Sequence, residues 1–187
     1  LIWTTTPWTL PANTAVSLAP DADYVMVVAD GSNMIMAREL VEQVAEIAGW
    51  ESYDLVRGAD GEPVALKGRE FTGLTYTCPI RQDLKGTVIY GDHVTLESGT
   101  GAVHTAPGHG QDDYLVALEF DVPLLMPVDD NGVLTDEAGP FAGLDVDEAN
   151  PAIIEWLRER GTLMAEKKIL HSYPHCWRCH EPVIFRA

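Results

Sequence analysis

The chain has 187 residues, of which 46% are hydrophobic and 22% are charged, as in an ordinary soluble globular protein. That length suits one domain, with or without a short appendage. No apolar run approaches the roughly 20 residues of a membrane-spanning helix, and no signal peptide is predicted. The chain begins at Leu1 rather than Met and stops without a polar tail. These ends predict a piece of a larger protein, and a processed mature protein is the competing interpretation.

The net charge of −17 is unevenly distributed along the chain. Residues 1–164 carry 8 Lys/Arg against 27 Asp/Glu, whereas residues 165–187 carry 4 against 2. An acidic body repels phosphate, so composition alone argues against independent binding of nucleic acid. The three cysteines leave an odd one, which does not suggest a disulfide framework and favours a reducing cytoplasm.

Short strands dominate the predicted elements, taken in chain order. Apolar and β-branched runs predict strands at 14–18, 24–29, 34–36, 53–56, 87–90, 93–96, 102–105 and 124–128. Helical spacing predicts helices at 39–48, ended by Gly49, at 112–120, and from Asn150-Pro151 to about Arg160. Residues 163–169 look extended. The fold class expected is mixed α+β, with a strand-rich, barrel-like core and two or three peripheral helices.

The first candidate for chemistry is the segment from Trp3 to Asn13, called here the threonine ribbon. Thr4, Thr5 and Thr6 place hydroxyl groups on both faces of an extended segment, and two prolines stiffen it. Such a surface can hold a ribose, an ester oxygen and a water by hydrogen bonds. A Thr-rich strand before a turn explains the same composition, because Thr is favoured in strands.

The second candidate is the glycine-rich segment 99–114. Its glycines permit close approach to the backbone, His104 ends a predicted strand, and Asp112 and Asp113 open a predicted helix. His104 is a candidate base, ligand or space-filling wall, and helix capping alone would explain the two carboxylates. No Ser lies in the sequence context of a nucleophile elbow, so a Ser–His–Asp arrangement is not supported.

The third candidate is the pair Cys176 and Cys179, which His175 and His180 flank. A C-x2-C pair is half of a structural zinc site, and four ligands are needed. Either the other pair lies outside this chain, or the two cysteines are simply reduced thiols in a turn.

Taken together, these segments resemble the editing insertion of the isoleucyl-tRNA synthetases, a domain shared with valyl and leucyl relatives. The resemblance is carried in chain order by residues 3–13, residues 99–107, Asp112-Asp113, residues 172–179 and residues 182–186. The valyl and leucyl domains characteristically have Thr-Thr-Arg-Pro where this chain has Thr5-Thr6-Pro7-Trp8, and they lack a histidine at position 104. These differences favour the isoleucyl type, and the valyl or leucyl type is the alternative.

The resemblance implies hydrolysis of valine wrongly esterified to tRNA(Ile), with valyl-adenylate as a second possible substrate. A missing methylene in an apolar pocket is worth only about 1–3 kcal/mol, a general value for which this synthetase is itself the standard example. A second pocket, too small for isoleucine, would then hydrolyse the valine esters that the first pocket fails to exclude. The implied partners are the 3′ end of tRNA(Ile) carrying valine and the rest of an ATP-binding synthetase, in the cytoplasm, with a monomeric fragment and no membrane.

The resemblance also implies roles for individual residues. Asp113 should hold the α-ammonium of valine, His104 should line the side-chain pocket, and Thr4, Thr5 and Thr6 should hold the ribose, the ester and the attacking water. Further substrate-binding residues are implied at Trp3, Thr9, Asn13, Gly101, Ala102, Val103 and Asp112. His109 flanks the same motif.

The implied division of the chain is an editing domain at 1–170 and a return strand at 171–187, with Cys176 and Cys179 as half of a zinc site. No cofactor is expected for editing itself. A rival from another class is a zinc-linked docking module without catalytic activity. It would require that Asp113 can be replaced without loss of function.

Overall fold

The computed structural model describes residues 1–168, 174–180 and 182–187. It contains eight strands within these residues: β1 (Ala15–Leu18), β2 (Asp23–Ala29), β3 (Ser32–Ala37), β4 (Asp54–Leu55), β5 (Ala65–Lys67), β6 (Thr75–Thr77), β7 (Lys85–Tyr90) and β8 (Ala102–Thr105). Three α-helices accompany them: α1 (Val41–Ala48), α2 (Gln111–Phe120) and α3 (Val146–Glu159). Four 3-10 helices lie at Pro7–Ala12, Arg38–Leu40, Gly68–Phe71 and Asp136–Phe141.

The strands form two four-stranded sheets. The first has the order β6-β7-β1-β8, in which β1 runs parallel to β7 and antiparallel to β8. The second is built on β2, which pairs β3 along one edge and both β4 and β5 along the other. The mixed class with several strands and a few helices is confirmed. Within the described residues, however, the strands do not close into a barrel.

Three apolar clusters hold these layers together. The largest lies between the second sheet and α1, where Val25, Val27 and Met36 pack with Val41 and Val44. A second surrounds α3, and a third joins α2 to the first sheet. Burying apolar surface stabilises the fold by about 25 cal/mol per Å², so these clusters account for much of its stability. Among the described residues, no helix is long and apolar enough to span a membrane.

Two of the predicted strands are wrong. Residues 93–96 form no strand, because the Val94 N–H bonds back to Gly91 O at 3.1 Å and closes a turn over residues 91–94. Residues 124–128 form no strand, and Val128 contributes only a single bridge to Leu134. Each segment contains a buried apolar side chain, Val94 or Val128, and burial alone does not distinguish a strand from a packed loop.

Helix α3 starts five residues earlier than predicted. The carboxylate of Asp145 accepts hydrogen bonds from Asp147 N and Glu148 N at 2.9 and 2.8 Å, which makes it the N-cap. Asn150 and Pro151 therefore lie inside the helix. The predicted helix at 39–48 begins instead at Val41 and ends as expected at Gly49, whose left-handed conformation closes it. Residues 163–168 have no regular structure, and Ile169 of that prediction lies outside the described residues, as does part of the predicted return strand.

Candidate active site

The threonine ribbon is extended only at its start. Trp3 forms a parallel bridge to Val103, and its N–H donates to Ala102 O at 3.1 Å. From Pro7 the chain turns into the 3-10 helix Pro7–Ala12, which the predicted extended ribbon did not anticipate. Proline pre-sets the φ angle that such a turn requires. The helix brings the Thr9 hydroxyl within 2.8 Å of the Thr6 carbonyl oxygen, and it ends at Ala12 with Asn13 as its C-cap.

The three threonine hydroxyls differ in exposure and in bonding. Thr4 Oγ1 accepts a hydrogen bond from Thr6 N at 3.1 Å, so it braces the ribbon. Thr5 is exposed and Thr6 is partly buried, and their hydroxyl oxygens lie 3.4 Å apart. Thr5 and Thr6 are therefore the members of the triplet that can meet a ligand and a water together.

His104 lies at the centre of a buried polar network with the ribbon. Its Nε2 is 2.9 Å from Thr9 Oγ1, and its Nδ1 is 2.7 Å from Asn13 Nδ2. Thr9 Oγ1 in turn donates to Thr6 O at 2.8 Å. His104, Thr9 and Asn13 are all buried. The structure thus joins Thr6, Thr9, Asn13 and His104, which are 91 or more residues apart across the two motifs.

These contacts assign the hydrogens on the imidazole. Asn13 Nδ2 can only donate, so Nδ1 of His104 must accept. Thr9 has one hydroxyl hydrogen and gives it to Thr6 O, so it accepts from Nε2–H of His104. Burial, with a smaller effect of the neighbouring His109, lowers the pKa of His104 to about 4. His104 is consequently neutral at physiological pH, and both of its ring nitrogens are hydrogen-bonded. It is therefore better suited to line a pocket than to act as a general base.

Asp113 and Asp112 occupy different environments at the start of α2. Asp112 is exposed. The Asp113 side chain folds back over the loop that precedes the helix, where its Oδ2 accepts the Ala106 N–H at 2.8 Å. Burial raises the pKa of Asp113, and the hydrogen bond from Ala106 opposes that shift. The Asp113 carboxylate is thus hydrogen-bonded to the backbone at Ala106, two residues after His104.

The glycines of the second motif are needed mainly for packing. A Cβ on Gly99 would lie 2.8 Å from Cγ of the Trp3 indole, and one on Gly101 would lie 2.5 Å from the Ala37 Cβ. Both glycines have positive φ. Tyr24 Oη donates to the Gly101 carbonyl at 2.5 Å. The space beside the backbone, where a ligand was predicted to approach, is therefore filled by Trp3 at Gly99 and by Ala37 at Gly101. Ala102 is buried and Val103 partly so, and the backbone of both residues pairs with Trp3.

A cavity of about 280 Å³ opens beside the ribbon. Its lining residues come from the ribbon, from the first turns of α3 and from the end of the chain: Thr5, Thr6, Trp8, Val146, Asp147, Asn150, Pro182 and Ile184. Neither His104 nor Asp113 is part of this lining, although the roles that the resemblance implies call for Thr5, His104 and Asp113 around one shared cavity. His104 is connected to it through Thr9 and the Thr6 carbonyl, and Asp113 is hydrogen-bonded to Ala106 in the β8–α2 loop.

Residues outside the predicted substrate-binding set support the ribbon. Tyr76 Oη donates to Asn13 Oδ1 at 2.6 Å, and Cys78 Sγ donates to the Asn13 carbonyl at 3.2 Å. Asn150 Oδ1 accepts the Trp8 N–H at 3.0 Å. His109 packs edge-on against Trp8 with ring centroids 4.8 Å apart. No local sequence signal marks these contacts, because every partner is distant in the chain.

The cysteine pair forms a compact turn. His180 N donates to Cys176 O at 2.8 Å, and hydrogen bonds from the backbone of Cys179 and Arg178 lower the pKa of the Cys176 thiol. A lowered pKa suits a metal-binding thiolate. No group of three or more potential ligands occurs in the part of the chain that the structure describes. Cys176 and Cys179 thus fit two of the four positions of a zinc site and do not complete one.

The fold is that of a synthetase connective segment. The crystal structure of GlLeuRS-CP1 superposes with a TM-score of 0.69 over 90% of this chain and 84% of that one, at 15% sequence identity. At that identity the likeness shows the fold alone. No family model matches the sequence.

The sequence comparison is more specific. Isoleucine–tRNA ligases from Nitratidesulfovibrio vulgaris, Enterococcus faecalis and Moorella thermoacetica are 50%, 49% and 48% identical to this chain over 187 residues. The chain is thus homologous over its whole length to a segment of the isoleucyl-tRNA synthetases, and the predicted resemblance is confirmed. It spans 19% of the length of these relatives. Together with the fold, this match supports an editing domain.

Proposed function

We propose that this chain is the post-transfer editing domain of an isoleucyl-tRNA synthetase, which hydrolyses the ester between valine and the terminal ribose of tRNA(Ile). The observation that carries the proposal is the convergence of the two motifs. Thr6, Thr9 and Asn13 of the ribbon meet His104 in one buried network, beside a cavity that Thr5 and Thr6 line. Valyl-adenylate is a second substrate of the same site in this proposal.

The reaction adds water to the ester carbonyl and releases valine and the ribose hydroxyl. In the proposed site, Thr5 and Thr6 hold the water and the ester through their hydroxyl groups, and Thr4 keeps the ribbon in shape. Positioning of the water supplies much of the rate enhancement, since a well-placed reactant gains many kcal/mol in effective concentration. His104 is a wall of the valine pocket that helps exclude isoleucine, and its neutral ring leaves proton transfer to water and the substrate's own ribose hydroxyl.

Asp113 is proposed to bind the α-ammonium of valine by a charge-assisted hydrogen bond. Its Oδ2 is held by Ala106, which orients the carboxylate and leaves Oδ1 for the ligand. A partly buried carboxylate with a raised pKa gains most from a cationic partner, because the partner replaces lost hydration. The proposed site therefore extends from the cavity on the ribbon, past His104, to the β8–α2 loop. Trp3, Gly101, Ala102 and Val103 support its backbone, and Asp112 lies at its edge.

The proposed partners are the 3′ end of valyl-tRNA(Ile) and the remainder of the synthetase, in the cytoplasm. The −17 charge of the chain agrees with tRNA being held mainly by other parts of the enzyme. We further propose that residues 1–170 form the editing unit and that residues 171–187 lead back to the catalytic domain. In that arrangement Cys176 and Cys179 bind zinc together with ligands from elsewhere in the enzyme. A zinc content that is unchanged after Cys176→Ser and Cys179→Ser substitution would exclude this.

The test of the function compares deacylation of valyl-tRNA(Ile) and isoleucyl-tRNA(Ile) by the full-length synthetase and two variants. Asp113→Ala should abolish the preferential loss of valine. Asp112→Ala, its exposed neighbour, is the matched control and should retain most of the activity. Equal hydrolysis of the two esters by the unmodified enzyme, or equal activity of both variants, would contradict the proposal.

A further inference from the structure

Tyr76 lies on the edge strand β6, behind the proposed site and outside the cavity lining. Its ring covers Gly86, the residue paired with it on β7. A Cβ at Gly86 would lie 2.2 Å from Tyr76 Cζ, so only glycine leaves room for the ring in this position. The sheet thus fixes the position of the Tyr76 ring. In this position the Tyr76 hydroxyl donates to Asn13 Oδ1 at 2.6 Å.

The direction of every hydrogen bond from Tyr76 to the ribbon can be assigned. Tyr76 Oη–H donates to Asn13 Oδ1, and the two Asn13 Nδ2 hydrogens go to Ala15 O at 3.0 Å and His104 Nδ1 at 2.7 Å. Nε2–H of His104 donates to Thr9 Oγ1, which donates to Thr6 O. Each group has one role that is consistent with its donors and acceptors. The chain of bonds therefore has a single direction, from Tyr76 to the Thr6 carbonyl.

The two orientations of the Asn13 amide would select opposite tautomers of His104. With Nδ2 toward the imidazole, as observed, the proton is on Nε2. With Oδ1 toward it, the proton would move to Nδ1, Nε2 would become an acceptor, and Thr9 would turn its hydrogen from Thr6 O to His104. The Ala15 carbonyl holds the observed orientation because it can only accept a hydrogen bond. The Tyr76 hydroxyl favours the same orientation, because its hydrogen is donated to Asn13 Oδ1 and a turned amide would take that acceptor away.

We propose that Tyr76 is a positioning residue for editing, which acts through Asn13 to keep His104 in the Nε2–H tautomer and Thr9 bonded to the Thr6 carbonyl. The inference rests on the proposed function, since its effect on rate is exerted on the threonine ribbon. Because Tyr76 lies behind the ribbon, its removal should lower kcat for valyl-tRNA(Ile) deacylation and leave KM nearly unchanged. The expected loss in kcat is roughly two- to tenfold, the size of effect that one neutral hydrogen bond has.

The kinetic test uses the full-length synthetase with Tyr76→Phe, which keeps the ring and removes the hydroxyl. Tyr90→Phe is the matched control, because Tyr90 is on β7 and packs edge-on against Phe120 instead. Tyr76→Phe should have no further effect in an Asn13→Ala background, since its influence passes through Asn13. Unchanged kcat in Tyr76→Phe, or an equal loss in the Asn13→Ala background, would overturn the inference.

A second measurement does not depend on activity. Magic-angle-spinning NMR of the ¹⁵N-histidine-labelled synthetase distinguishes the two neutral tautomers, and the His104 signals are assigned by their disappearance in His104→Gln. The unmodified enzyme should show Nε2–H alone, and Tyr76→Phe should show both tautomers. One unchanged tautomer in Tyr76→Phe would refute the positioning role. If the enzyme fails to deacylate valyl-tRNA(Ile) while the tautomer responds, the proposed function fails and the hydrogen-bond relay stands.

Discussion

The side-chain oxygen of Asn150 accepts the backbone N–H of Trp8 at 3.0 Å, although the two residues are 142 positions apart. This bond joins α3 to the first turn of the helix Pro7–Ala12, directly after the threonines. Both residues also line the cavity on the ribbon. The position of Thr5 and Thr6 relative to the rest of the site thus depends on a residue from the last helix.

Asn150→Ala should destabilise the chain, because the Trp8 N–H would lose its acceptor in a largely buried position. The expected loss is about 1–3 kcal/mol in the free energy of unfolding, measured by urea denaturation of the 187-residue chain. Asn150→Asp keeps an acceptor oxygen and is the matched control. If both variants unfold at the urea midpoint of the unmodified chain, this bond does not matter for stability.

The stability of the chain should fall as the pH drops from about 6.5 to 4, in part because of His104. Burial holds the pKa of folded His104 near 4, below its unfolded value of 6.5. The unfolded state therefore binds a proton in this window that the folded state does not, and each pH unit costs about 1.4 kcal/mol per such proton. Above pH 6.5 His104 therefore costs no stability, and the loss of stability that it causes is nearly complete by pH 4.

His104→Gln should make the pH dependence of unfolding shallower in the same window, as measured by urea denaturation at pH 7, 6 and 5. Some dependence should remain, because burial also lowers the pKa of His109. Parallel curves for the variant and the unmodified chain would show that His104 is not buried as a neutral ring.

Asp113→Asn should raise stability at pH 7 while it removes valyl-tRNA(Ile) deacylation. Burial raises the pKa of Asp113, so the folded state binds a proton more readily than the unfolded state. Its charged form therefore lowers stability at pH 7. This penalty shrinks as the pH falls through the folded pKa and is gone below the unfolded value of 3.8. Asparagine keeps an oxygen for the Ala106 N–H. Thermal melts of Asp113→Asn and the exposed control Asp112→Asn measure the difference; a lower melting temperature for Asp113→Asn would contradict this account.

Gly101→Ala should be markedly destabilising, because the new Cβ would clash with Ala37 in addition to adopting a positive φ. Gly61→Ala is a matched control: its φ is also positive, at +83°, but its Cβ would meet nothing within 4 Å. The control should lose about 1–2 kcal/mol from backbone strain. Gly101→Ala should lose about 1–3 kcal/mol more from overpacking, measured by urea denaturation. Equal losses of unfolding free energy in the two variants would mean that Ala37 moves away from the new Cβ at no cost.

The local patterns were sufficient for several elements of the fold. The apolar run at residues 24–29 predicted a strand, observed as β2, and the helical spacing after residue 39 with Gly49 behind it predicted α1. Residues 93–96 and 124–128 were misassigned because apolar side chains such as Val94 and Val128 are also buried in turns and loops. The start of α3 was placed at Asn150 because an Asn-Pro pair resembles a cap, whereas Asp145 is the cap.

The sequence by itself determined which residue types meet: hydroxyls, an imidazole and a carboxylate in two motifs whose resemblance to isoleucyl-tRNA synthetases needs no coordinates. Only the tertiary structure decided how they are arranged. It placed His104 behind the ribbon as a neutral ring, and it recruited Tyr76 and Asn150 as supports. The physical reason is that a side chain's protonation and orientation depend on burial and on hydrogen-bond partners that lie far away in the chain.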